Sequence, residues 1–156
     1  MAGKVMKFAE KVKKIKRTDT VPFTTDEGET IEFKVESRSE KQVDEVNTKY
    51  EAMKPKVPTK RLPAAGGRFK IVEDHENPDY KIKMAEVQKQ NFAELALLFL
   101  AEEERPEGNI DEQLAQIMEV ELAGFVPKIV QRGLEISALI DEEESYEEEL
   151  EAAKND

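Results

Sequence analysis

Cysteine and tryptophan are both absent, and histidine occurs once. Without cysteine there are no disulfides, thiolate nucleophiles or cysteine-held zinc sites. A single imidazole excludes the multi-histidine metal centres and leaves little for histidine-based acid–base work. Aromatic residues are only 6% of the chain. Long apolar runs are missing too: the longest candidate, Leu95 to Ala101, falls far short of the roughly 20 residues a membrane helix needs. The basic beginning, MAGKVMKFAEKVKKIKR, has no apolar block or small-residue cleavage site behind it, so it does not read as a secretory signal. These absences lead us to expect a soluble intracellular protein with no catalytic signature, no metal and no cofactor.

Charge is what the chain has in quantity. Charged residues make up 38% of its 156 residues, as much as the hydrophobic ones, with a net charge of −11. Wholesale disorder is excluded because several segments are apolar enough to bury a core. The charge is also uneven. Residues 1–20 carry a net +5, and residues 141–156 a net −8. Such a chain invites contact between unlike ends, within one molecule or between copies.

Hydrophobic periodicity divides the chain into an α+β fold. Residues 1–15 read as a basic amphipathic arm or helix, with Val5, Phe8, Val12 and Ile15 at helical spacing over about 4–15. A partner-ordered arm and a membrane-surface helix are the other two readings of that segment. Residues 16–53 give a β-hairpin and a helix. Thr30 to Glu36 alternates strictly, so Ile31, Phe33 and Val35 share a face, which must pack on helices or on another subunit. Asp26-Glu27-Gly28-Glu29 supplies the turn, and Pro22 places the first strand at an edge or distorts its pairing. Ser39 and Gln42 have the spacing of a capping box, starting a helix over about 40–53 that Pro55 and Pro58 end. Residues 54–77 are expected to be a Pro/Gly-rich loop, mobile over 54–68, with a short extended stretch at Phe69 to Val72.

Residues 78–140 read as a helical bundle. A long helix follows Asn77-Pro78 and runs to about Glu103, apolar nearly all round in its second half, as a central helix is. Ile110, Leu114, Ile117, Met118 and Leu122 mark a second helix. Gly124 and Pro127 punctuate a turn, and Ile129 to Ile140 mark the last core helix. Residues 141–156 are an acidic tail. The whole is one globular domain without internal repeats.

Candidate chemistry is sparse. His75, in Glu73-Asp74-His75-Glu76, reads as a polar loop residue, since a metal or acid–base role needs convergent partners. No serine sits in a nucleophile elbow to complete a triad. Ala64 to Arg68 lacks the ending of a phosphate loop, and Asp26 to Glu29 is too short for a calcium loop. The acidic block, including Glu142, Glu143, Glu144, Glu147, Glu148 and Glu149, reads first as a solvated, frayed helix end. Docking to a basic partner is its second reading, and imitation of nucleic-acid phosphate a third that too few acids support. Nucleic acid itself is disfavoured by the overall charge and the lack of interleaved aromatics.

The order of elements carries one resemblance. A charged start and the hairpin VPFTTDEGETIEFKV precede a polar helix and a long loop. NPDYKIKMAEVQKQNFAELALLFL then leads to IDEQLAQIMEVELAGFVPKIVQRGLEISALIDEEE. Over roughly residues 16–140 this resembles the tail assembly chaperones of long-tailed bacteriophages and Gram-positive prophages. It does so as a pattern of elements rather than an invariant motif. The resemblance implies a non-enzymatic assembly factor that coats the tape measure protein and helps recruit the major tail tube protein. Such a factor works in the bacterial cytoplasm, is absent from the mature virion, and in many cases has a longer frameshifted form. It implies no catalytic residues. Expected partner-binding positions are Ile31, Phe33, Val35 and the acids Glu142 to Glu149, with self-association of the charged ends. Another virion-morphogenesis protein, a scaffold or head–tail joining component, is the alternative, as is an acidic adaptor or inhibitor of a host protein.

Overall fold

In the computed structural model, which describes residues 5–15 and 17–140, alternation in the first hairpin becomes two antiparallel strands, β1 (Thr18–Thr24) and β2 (Thr30–Glu36). Val21 pairs with Phe33, and Phe23 with Ile31. Gly28 takes a positive φ of 82° in the turn, where the Thr25 amide donates to the Glu29 carbonyl at 2.7 Å. Pro22 lies on β1, which pairs with β2 alone, so an edge position accommodates its missing amide proton. The preceding helix α1 (Phe8–Lys14) is shorter than the 4–15 expected and buries none of its residues.

Helix α2 (Glu40–Met53) begins where the capping box places it. Ser39 Oγ accepts from the Gln42 amide, and Gln42 Oε1 accepts from the Ser39 amide. Its buried residues, Val43 and Tyr50, face α3 (Pro78–Phe99), the long central helix, which contacts α2, α4 and α5. Asn77 caps α3 by accepting from the Tyr80 amide, and Pro78 occupies the first turn, where no amide donor is needed.

The stretch 54–77, expected to be a loop, holds a second hairpin instead. Strands β3 (Thr59–Pro63) and β4 (Phe69–Glu73) pair antiparallel, and Gly66 and Gly67 turn the chain at φ of 77° and 73°. The glycines that read as a flexible connection supply the left-handed residues of a tight reversal. The Asp74 amide closes the base on the Pro58 carbonyl at 2.7 Å.

Helix α3 stops at Phe99, four residues before the expected end. Leu100 is extended and pairs with Val35, while the Ala101 amide donates to the Lys34 carbonyl at 3.0 Å. The outer edge of β2 thus takes up the chain as it leaves the helix. Two arginines satisfy the carbonyls at this buried helix end: Arg38 Nε donates to Leu98 at 2.8 Å, and Arg105 reaches Leu98 and Leu100. Helix α4 (Ile110–Met118) is capped by Asn109 and ends before Val120 and Leu122. Helix α5 (Phe125–Ile136) starts earlier than expected, because Pro127 fits its first turn. Its last turn closes through Ala138, at φ 58°, and the bond from the Leu139 amide to the Leu134 carbonyl.

The core sits where β2, α3 and α5 meet: Val35, Phe99, Leu100 and Ile129 are its largest fully buried side chains. Gly133 of α5 lies against the Phe99 ring so closely that a Cβ there would fall 2.1 Å from Phe99 Cγ. Among the described residues, no helix is long and apolar enough to cross a membrane.

Candidate protein-binding surface

The hairpin face expected to meet a partner is largely spent within the chain. Val35 is 0% exposed, and Phe33 packs edge-on against Phe23 and Phe125 at ring distances of 5.7 and 5.1 Å. Only Ile31, at 52%, remains open to solvent. Covering this face by helix α5 is the intramolecular solution to the problem that an isolated hairpin poses. Val35 is therefore covered within the chain, and Phe33 is partly covered by the core it packs against. Glu142, Glu143, Glu144, Glu147, Glu148 and Glu149 lie outside the described residues.

His75 is exposed, with Nε2 3.0 Å from Glu73 Oε2 and its ring edge-on to Tyr80. Glu94 is the one buried acid among the described residues. Its Oε1 accepts from Lys49 Nζ at 2.7 Å and from the Tyr50 hydroxyl at 3.3 Å, fastening α2 to α3. The Glu94 hydrogen bond raises the Lys49 pKa, and burial raises that of Tyr50. Both therefore hold their protons more firmly than usual and are poor bases at neutral pH. The arrangement is a tether.

What the fold leaves open is apolar. Between α3 and the connection from α4 to α5 runs a groove of about 510 Å³. Ala93 and Ile117 are buried beneath it, while Phe92, Val120 and Leu122 line it and stay exposed, Phe92 at 51% and Leu122 at 56%. Two carboxylates, Glu119 and Glu121, and one ammonium, Lys89, also line it. These residues come together because α4 ends at Met118. The next stretch then crosses in a loop and holds Val120 and Leu122 at the surface. Helical spacing assigned Leu122 to the core of a longer α4. The polar–apolar alternation Glu119-Val120-Glu121-Leu122 before Gly124 was the local sign that the helix had ended.

Apolar side chains are uncovered elsewhere among the described residues too. Helix α1 presents Phe8 at 84% exposure, together with Ile15, and the second hairpin presents Phe69 and Ile71, with Arg61 stacked 5.9 Å from the Phe69 ring. Groove, helix and hairpin each leave apolar side chains open to solvent. Compared with protein-family models, curated proteins and solved structures, the chain matches none of them.

Proposed function

We propose that this protein is a non-enzymatic tail assembly chaperone of a long-tailed bacteriophage. It holds the tape measure protein in the host cytoplasm and helps bring the tail tube protein to it. The observation that carries this reading is the groove lined by Phe92, Val120 and Leu122. An open apolar channel between helices takes the apolar stripe of an amphipathic client helix, and a tape measure protein offers many such stripes in series. Anchors spaced three and four residues apart on the client would enter between α3 and the loop after α4, leaving its polar side in water.

The test is binding of a helical tape-measure fragment to the full-length chain by calorimetry, compared with the Phe92→Asp and Leu122→Asp variants. Loss of a central apolar contact should weaken binding by about tenfold or more for each. Unchanged affinity in both variants, or no binding by the parent, overturns the reading. So does finding the chain at stoichiometric level in purified virions, the result that a scaffold-retaining or joining protein would give.

A further inference from the structure

Helix α1 is seven residues long, lacks a side-chain cap and begins beside Lys7, the wrong charge for the positive end of a helix. Isolated helices this short are marginal in water. Yet it displays Phe8 and Val12 one turn apart, with Ile15 following at its C-cap, the spacing of anchors that enter a groove, and buries none of them. A helix with this pattern and so little intrinsic support needs a surface to lie on. The same molecule carries an unfilled apolar groove, so it holds both halves of a contact.

Charge matches the two halves. Around its apolar stripe α1 carries Lys7, Lys11, Lys13 and Lys14 against Glu10. The groove offers Glu119 and Glu121 against Lys89. Within one chain the two halves do not meet: α1 buries none of its residues, and none of them lines the groove. The Asp19 carboxylate of β1 is paired with Arg132, whereas α5 contributes to the groove at its other end, through Val126 and Pro127.

We propose that α1 of one copy docks Phe8, Val12 and Ile15 into the groove of a second copy, joining molecules head to tail. The contact is heterologous, since the donor's own groove and the acceptor's own α1 remain free. Copies therefore add in series rather than closing as a pair. The self-association does not depend on what the client is. That a client helix must displace α1 rests on the tape-measure reading.

Sedimentation of the full-length chain tests this, with Phe8→Glu as a chain lacking its plug and Leu122→Asp as one lacking its socket. Both side chains are exposed, and an unchanged thermal midpoint verifies that each variant folds. At low salt the parent's average mass should rise with concentration past the dimer. Each variant alone should associate about tenfold more weakly or less. An equimolar mixture should form a dimer and nothing larger, because the one intact plug meets the one intact socket. A parent that is monomeric at all concentrations overturns the proposal. So does one that levels off at a dimer, or a mixture that stays monomeric. Binding of the tape-measure fragment to Phe8→Glu is measured separately. Its loss would count against the chaperone reading, and its retention leaves the head-to-tail test to stand by itself.

Discussion

The two hairpins of this protein are built alike and kept in different ways. Each is a pair of antiparallel strands closed by a turn with glycine at positive φ. The first, β1–β2, has one face under α5 and the outer edge of β2 occupied by Leu100 and Ala101. The second, β3–β4, has Phe69 and Ile71 in solvent and is pinned near its base by the Asp74–Pro58 bond and the Lys60–Asp74 ion pair at 3.6 Å. Strand pairing alone is marginal in water, so the first hairpin draws its stability from the core, and the second from local contacts. Sequence alternation reports the strand. What covers the strand decides its worth.

The largest effect should come from prying the first hairpin's support apart. Gly133→Ala would ordinarily favour a helix by about 1 kcal/mol. Here the added methyl meets the buried Phe99 ring, and α5 must shift away from α3. We expect a loss of about 3 kcal/mol or more in denaturant unfolding, the upper range for overpacking, so the usual sign reverses. A gain in stability would show that α5 is free to slide.

A matched pair sharpens the comparison. Phe33→Ala breaks the ring cluster with Phe23 and Phe125 and should cost about 2 kcal/mol, below the ~3–5 kcal/mol of a fully buried phenylalanine. Phe69→Ala removes an exposed ring and should stay within about 0.5 kcal/mol. Amide exchange should also be faster in β3–β4 than in β1–β2. Equal costs for the two substitutions would erase the distinction between the hairpins.

The smallest effect concerns α2, the helix that leads from one hairpin to the other. Lys49 and Tyr50 both have raised pKa values in the folded chain, from the Glu94 hydrogen bond and from burial respectively. For both groups the contribution to stability is complete below the unfolded values, near pH 10, and is lost as pH rises through the folded ones. Thermal stability should therefore fall from about pH 10 upward in the parent and less steeply in Glu94→Gln. Lys49 is half exposed, so solvent screening keeps its share below about 1 kcal/mol. Identical alkaline profiles would remove Glu94 from this role.

Legibility in the sequence followed how local each cause was. The start of α2 was readable because Ser39 and Gln42 complete one another within four residues. The first hairpin was readable from strict alternation. The second was hidden by Pro55, Pro58, Pro63, Gly66 and Gly67, which look like a loop until Gly66 and Gly67 are placed in its turn. The end of α3 depends on β2, some 65 residues earlier, competing for Leu100, and nothing beside Phe99 announces it. For the same reason the shared face of Ile31, Phe33 and Val35 could be read, but not the helix that covers it. The groove depends on α4 stopping at Met118, while the apolar spacing continues past that point.

The pairing of Val35 with Leu100 also sets a clock. A ribosome adds about 5–20 residues per second, so Val35 is made roughly 3–13 s before the residue that shields its edge. Gly133, against which Phe99 rests, is made later still. During that interval the growing chain carries a hairpin with a bare apolar face and an open strand edge. The nascent protein thus passes through the same predicament, exposed apolar surface awaiting a cover, from which its finished form is proposed to protect a client.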